Sequence, residues 1–200
     1  MNRKTFLARS GLSLLSALLI RIKSMAENST PEQYFFEDDG SIPNSPFPLL
    51  VYKKAFATSG DEAAEWLEKK FAGNNWSNFW RNGVLPYHHY HSLSHEVLGI
   101  YSGSAVLQLG GEKGKKVKVE TGDIIVIPAG VGHKNLGGEN GFGVAGAYPD
   151  GRDYDILRGE KGERPAADER IAALPVPDFD PFLGKTGGLT GLWKKQHGDQ

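Results

Sequence analysis

After one helical stretch the period of this chain changes to two, in short runs of strand-forming residues divided by glycine-rich turns. A period of two places alternate side chains on opposite faces and marks a strand. The runs are Leu49–Phe56, Val84–His91, Val97–Tyr101, Ser104–Leu109, Lys115–Glu120, Ile124–Ile127 and Phe142–Tyr148. Between them lie Gly110-Gly111-Glu112-Lys113-Gly114, Gly122-Asp123 and Gly137-Gly138. Many short strands with turn signals between them close into an antiparallel sandwich or barrel. Glycine is 26 of 200 residues, and tight turns that need φ > 0 account for such an excess. One helix is predicted near 60–72. Ser59-Gly60-Asp61-Glu62 has capping-box spacing, Ala63, Leu67 and Phe71 share a face, and Gly73 is a suitable stop.

Charge and cysteine content remove several classes of function. Lys and Arg total 23 against 24 Asp and Glu, so no bulk positive field draws in nucleic acid, and no nucleic-acid partner is expected. Cysteine is absent, which excludes disulfides, thiolate metal sites and a cysteine nucleophile.

The two ends read differently from the middle. Residues 1–26 have the marks of a targeting segment: Arg3 and Lys4, an uncharged run of 11 residues from Ser10 to Ile20, and a small-x-small exit at Ser24-Met25-Ala26. The run is too short for a stable membrane span, which needs about 20 apolar residues. Arg3-Lys4-Thr5-Phe6-Leu7 is similar to a twin-arginine export signal with Lys in the second place, whereas Arg21 and Lys23 after the apolar run depart from signal patterns. A periplasmic location is expected if the segment is a signal. A cytoplasmic one is expected if it is an amphipathic N-terminal helix. The barrel is expected over 34–150, and 151–200 as an extended tail that wraps it. Within that tail Ala166–Ala173 is a candidate helix, Pro175, Pro177 and Pro181 punctuate the chain, and Leu189, Leu192 and Trp193 are candidate anchors.

Four of the six histidines lie between positions 88 and 95. Parity on a strand divides them: His89 and His91 share a face, and His88 points the other way with Tyr90. Glu96 opens the next strand, and His133 arrives from a distant loop after Pro128-Ala129-Gly130. Imidazole and carboxylate groups so placed suit one divalent ion such as Fe, Mn, Zn or Ni. Three His and one Glu leave two positions of an octahedron open.

At these positions the chain resembles the cupin superfamily of RmlC-like proteins. The first cupin motif is met by Gly83, His89, His91, Glu96 and Gly103, and the second by Gly122, Pro128, Gly130 and His133. Its last position is Gly137 rather than Asn, and Asn135 stands two residues early. A narrower likeness, to the YjlB-like bacterial cupins, rests on Trp80-Arg81-Asn82-Gly83, on Tyr87 to His91, on His95 to Gly99, on Pro128 to Leu136 and on Gly146 to Gly151. The resemblance implies an all-β double-stranded β-helix, the cupin jelly-roll barrel, with His89, His91, Glu96 and His133 as ligands of one metal. It also implies a small-molecule substrate and the edge-to-edge homodimer common among such barrels. Dioxygenase, decarboxylase and isomerase chemistry all occur on this ligand set, as do non-catalytic binding proteins; dioxygenase-like oxidoreductase chemistry on a small polar molecule is the favoured expectation.

Around the ligands, Tyr87, Lys134 and Asn135 are candidate pocket residues, and Arg81 is a further candidate for meeting an anion. Trp76, Phe79 and Trp80 are expected to pack the barrel mouth or a dimer contact. His88 and His95 are expected to pack or hydrogen-bond away from the ligands.

Overall fold

The structure, a computed structural model, describes residues 30–194. The targeting segment expected over 1–26 lies outside the described residues. Seven strands form one antiparallel system: β1 (Glu32–Phe36), β2 (Ser45–Tyr52), β3 (Trp76–Asn82), β4 (Glu96–Leu109), β5 (Lys115–Glu120), β6 (Ile124–Ile127) and β7 (His133–Pro149). Their order is β1-β2-β6-β4-β7-β3, with β5 paired to β4. This is an all-β jelly-roll barrel. Helix α1 (Gly60–Ala72) joins β2 to β3, and α2 (Ala166–Ala173) and α3 (Leu189–Leu192) follow the barrel.

The barrel is buried on both faces of its central strands. Leu49 and Val51 of β2, Ile125 and Ile127 of β6, and Leu98 and Ile100 of β4 form one apolar cluster. Their alternates, Leu50, Tyr52, Ile124, Val126 and Val97, form a second with Leu67 and Phe71 of α1 and with Leu189 and Trp193 of the C-terminal segment. Period two therefore feeds two cores rather than one core and a wet face. Helix α1 turns Ala63, Ala64, Leu67 and Phe71 inward. It comes so near β4 that a Cβ on Gly99 would lie 2.5 Å from a Leu67 methyl. Asp61 and Glu62 at its start and Lys69 and Lys70 at its end complement the helix dipole, but the Ser59 side chain makes no capping hydrogen bond.

Several element boundaries differ from expectation. Val97–Tyr101 and Ser104–Leu109 are one strand, β4, which changes partner midway: Glu96–Gly99 pair with β6 and Ser104–Leu109 with β5. Gly103 sits at the corner with φ +65°, where a Cβ would lie 2.3 Å from the Glu139 carbonyl oxygen. This left-handed position bends the strand around the barrel. Gly137 and Gly138, expected as a turn, lie inside β7 beside a register shift opposite Val106 and Leu107. Strand β2 runs Ser45–Tyr52 rather than Leu49–Phe56. The stretch expected as a strand over Val84–His91 carries only isolated bridges, His89 to His133 and Tyr90 to Leu157. Pro86 removes a donor there, and the chain crosses the barrel mouth instead of joining a ladder. Strands β1 and β3 were not expected. Both are edge strands of mixed burial, so neither carries a clean apolar alternation.

The segment after β7 is packed rather than trailing. Asp180 is fully buried; its carboxylate accepts from Tyr52 Oη at 2.5 Å and from the Phe182, Leu183 and Leu189 amides at 2.8–2.9 Å. Trp193 donates from Nε1 to the Pro48 carbonyl at 2.8 Å and stacks on Phe47. No helix among the described residues is long and apolar enough to cross a membrane.

Candidate metal centre

His89, His91, Glu96 and His133 meet at the barrel mouth, all of them buried. One nitrogen from each of His89, His91 and His133 lies within 4.8 Å of the others. Glu96 Oε2 is 3.4 Å from His91 Nε2 and 3.3 Å from His133 Nε2. Three elements supply the set: the crossing segment brings His89 and His91, the first residue of β4 is Glu96, and the first of β7 is His133. The backbone of His89 exchanges hydrogen bonds with that of His133, at 3.2 and 2.9 Å, which sets the distance between the two imidazoles.

Each of the three imidazoles is tied by its outer nitrogen. His89 Nδ1 donates to the Tyr87 carbonyl at 3.3 Å, His133 Nδ1 to the Val131 carbonyl at 3.1 Å, and His91 Nδ1 to the Asp155 carbonyl. A carbonyl only accepts, so each Nδ1 carries a proton and each Nε2 faces the centre, where its lone pair is available once no second proton occupies it. His91 Nε2 and Glu96 Oε2 are buried without a hydrogen-bond partner. Buried polar atoms without partners are rare in folded proteins, and here they point at one another. A divalent cation satisfies them, so the donor set fits a metal.

Electrostatics point the same way. Burial, then the neighbouring imidazoles His133 and His91, hold His89 down to about 2, and so neutral. Burial opposes charge on Glu96 as well, yet His91 and His133 outweigh it and keep the carboxyl well below its usual range. Burial likewise opposes charge on His91, and the Glu96 carboxylate overcomes it and raises His91. The Glu96 carboxylate calls for a positive charge at the centre, and a metal ion would displace the His91 proton that otherwise supplies it.

Glu96 is oriented from behind. Tyr148 donates to Glu96 Oε1 at 2.9 Å and accepts from Trp80 Nε1 at 2.9 Å. Burial, then the Glu96 charge, push the Tyr148 phenol up and keep it protonated as a donor. Gly146 makes room for the Trp80 indole, since a Cβ there would fall 2.1 Å from it. Tyr154 stacks on Tyr148, with centroids 4.5 Å apart, and meets His91 edge-on at 5.5 Å. Trp80, Tyr148 and Tyr154 line the cavity above the ligands. Tyr148 falls in a phrase that carries the family likeness, but its role rests on contacts across β3, β4 and β7 that no local pattern shows. Tyr154 lies beyond the barrel, where sequence offers no signal.

The expected pocket residues do not line that cavity. Lys134 pairs with Glu112 at 2.9 Å on the outer side. Asn135 accepts from the Gly137 amide at 2.9 Å in a local turn. Tyr87 stands edge-on to His89, with the Arg158 guanidinium 4.2 Å over its ring. In each case the parity that points a ligand inward points its neighbour outward, or a local partner captures the side chain. Arg81 forms a two-pronged pair with Glu68, at 2.7 and 2.9 Å. Trp76 belongs to the outer core and Phe79 is exposed. His88 faces Glu112, 3.2 Å away. His95 Nδ1 accepts from the Ala129 amide at 2.9 Å, and its Nε2 donates to the Pro175 carbonyl at 3.3 Å, so both ring nitrogens serve the fold.

The cupin domain family matches residues 77–138, which hold all four converging side chains. The uncharacterized protein YjlB of Bacillus subtilis (strain 168) is 46% identical over 165 residues, covering 82% of this chain and 97% of that protein. The chain is a cupin. Among solved structures, this cupin is similar to acireductone dioxygenase from Bacillus anthracis, which carries a cadmium ion in its active centre; identity is 20%, coverage 53% of this chain and 80% of that one, and the TM-score 0.39. A predicted oxalate decarboxylase from Thermotoga maritima is 18% identical and covers 60% of this chain and 91% of its own, with a TM-score of 0.31.

Proposed function

We propose that this cupin is a mononuclear metalloenzyme of dioxygenase-like type, with His89, His91, Glu96 and His133 holding one divalent ion beside a small-molecule cavity. One observation carries the reading: three imidazoles have Nδ1 tied to backbone carbonyls while His91 Nε2 and Glu96 Oε2 meet without a hydrogen bond. When bound, such an ion supplies Lewis acidity and, if redox-active, one-electron chemistry with dioxygen. The protein's own part is orientation and exclusion of water. Tyr148 fixes one oxygen of Glu96 and leaves the other for the centre. Trp80 and Tyr154 shield the ligands. Beyond the ligands, no Asp, Glu, His or Lys among the described residues lines the cavity, and Tyr148 and Tyr154 are its remaining proton-transfer groups; this favours oxidative chemistry over an isomerisation that needs a base active near neutral pH.

Metal analysis of the purified full chain tests the first half: one divalent ion per chain is expected, and its loss in His91→Ala. Absence of stoichiometric metal together with an unchanged His91→Ala protein would refute the reading. Oxygen uptake with small carbonyl and thiol compounds tests the second half. For location, we propose export directed by residues 1–26. A mature N-terminus near Asn28 in periplasmic fractions is the expected result, and an intact Met1 in the cytosol overturns it.

A further inference from the structure

The cavity over the ligands holds about 140 Å³. Its floor is the four converging side chains. Its walls are aliphatic and aromatic, among them Leu98, Trp80, Tyr154 and Ile156, with Asn82 as the one neutral amide. Among the described residues, no lysine or arginine lines it. Basic groups of the neighbouring elements have partners of their own: Lys134 pairs with Glu112, Arg81 with Glu68, Arg152 with Asp150, and Arg170 with Ser92 and Asp155, while Arg158 lies over the ring of Tyr87.

Charge then restricts what can enter. A divalent ion with one carboxylate and three neutral imidazoles leaves a net charge of about +1 at the centre. One negative charge on an incoming molecule is balanced. A second would be buried among rings and methyl groups with no counter-ion, which is unfavourable.

The rim is set by a strap from beyond the barrel. Tyr154 and Ile156 are 40% and 47% exposed while lining the cavity, so they stand between it and solvent. Asp155 between them is locked: its carbonyl holds His91, and its carboxylate accepts from the Ser92 amide at 2.7 Å and from Ser92 Oγ at 2.5 Å. Leu157 pairs with Tyr90 through two backbone hydrogen bonds, at 2.8 and 3.0 Å. The rim is therefore anchored on the same segment that carries two of the ligands.

Resting on the metal reading above, we propose that this cavity selects a small chelating molecule that is neutral or singly anionic and has an apolar flank, and that Tyr154 and Ile156 enforce the choice. Enolisable carbonyl compounds and monocarboxylates belong to this class. Dicarboxylates and phosphorylated sugars are excluded from it.

The test is binding to the full chain loaded with cobalt(II), read by visible absorption near neutral pH. Two small bidentate probes are compared, acetohydroxamic acid and oxalate, each normalised to its affinity for aqueous cobalt(II). Acetohydroxamic acid is expected to bind at least about tenfold more tightly on that scale, because the second oxalate charge finds no partner. Ile156→Arg, an exposed substitution, is expected to tighten oxalate by about tenfold with unchanged cobalt stoichiometry. Equal or tighter oxalate binding by the unaltered protein overturns the inference, as does an Ile156→Arg protein with the same preference. Failure of cobalt to bind at all overturns the metal reading and this inference with it, whereas cobalt bound with oxalate preferred overturns this inference alone.

Discussion

Tyr148 donates its phenolic hydrogen to Glu96 Oε1 at 2.9 Å, while Oε2 of the same carboxylate faces His91 and His133. The phenol thus divides the carboxylate into a held oxygen and a free one. Ligands oriented by an outer hydrogen bond lose affinity when that bond is removed, typically by about 10–100-fold. Tyr148→Phe is expected to weaken metal binding within that range and to destabilise the metal-free protein by about 1–3 kcal/mol, since Trp80 Nε1 also loses its acceptor. Metal titration and denaturant unfolding of the same variant measure the two effects, and an unchanged metal affinity would sink the orienting role.

His91 and His95 stand four residues apart, and opposite outcomes are expected for them. His91→Ala removes a converging nitrogen and should abolish stoichiometric metal. His95→Ala leaves the centre intact but strips the Ala129 amide of its acceptor, a loss of about 1–3 kcal/mol for a buried group. Metal content and melting temperature, measured on both, separate the roles. Loss of metal in His95→Ala would contradict the division.

Trp193 ties the C-terminal segment to the barrel. Its indole is nearly fully buried, stacked on Phe47 and bonded to Pro48. Trp193→Ala is expected to cost about 3–5 kcal/mol, as for other buried aromatic truncations. Chemical denaturation would show it. A change below about 1 kcal/mol, within the range of surface substitutions, would mean that the tail is dispensable.

An acid-dependent contribution comes from Asp38. The hydrogen-bonded Arg164 guanidinium holds its carboxyl below the ordinary range. A carboxyl whose folded value lies below its unfolded value stabilises the protein above the unfolded value, about 3.9, and the effect fades as pH falls through the folded value. The side chain is partly exposed, so the contribution at neutral pH is expected to be under about 1 kcal/mol. The stability difference between the unaltered protein and Asp38→Asn should shrink as pH drops below about 4. A difference that grows on acidification would reverse the sign and reject the account.

Local pattern sufficed where an element is short and its boundaries are marked by residues next to it. Lys115–Glu120, Ile124–Ile127 and Ala166–Ala173 coincide with β5, β6 and α2, because each is short and bounded by turn residues. It failed where pairing rather than pattern makes the strand. β3 has mixed burial and a bulge between Ser77 and Trp80, and it exists because β7 offers it an edge. Val84–His91 has the alternation of a strand, but Pro86 and the crossing of the mouth leave it only two bridges.

The sequence by itself determined the fold class and the set of chemical donors. The spacing of His89, His91 and Glu96 in one motif, and of His133 in the other, is local information, and the separation of two between His89 and His91 turns both the same way in an extended chain even without a ladder. Only the tertiary structure decided what surrounds them. Tyr148 reaches Glu96 across 52 positions, and the Asp155 carbonyl reaches His91 across 64. Such contacts depend on how β7 returns beside β4 and where the following strap lies, and no periodicity within a single segment encodes either. The same holds for Lys134 and Asn135: closeness to a ligand in sequence placed both near the centre, but strand parity turns Lys134 to the other face, where it pairs with Glu112, and the Gly137 amide holds the Asn135 side chain in a local turn.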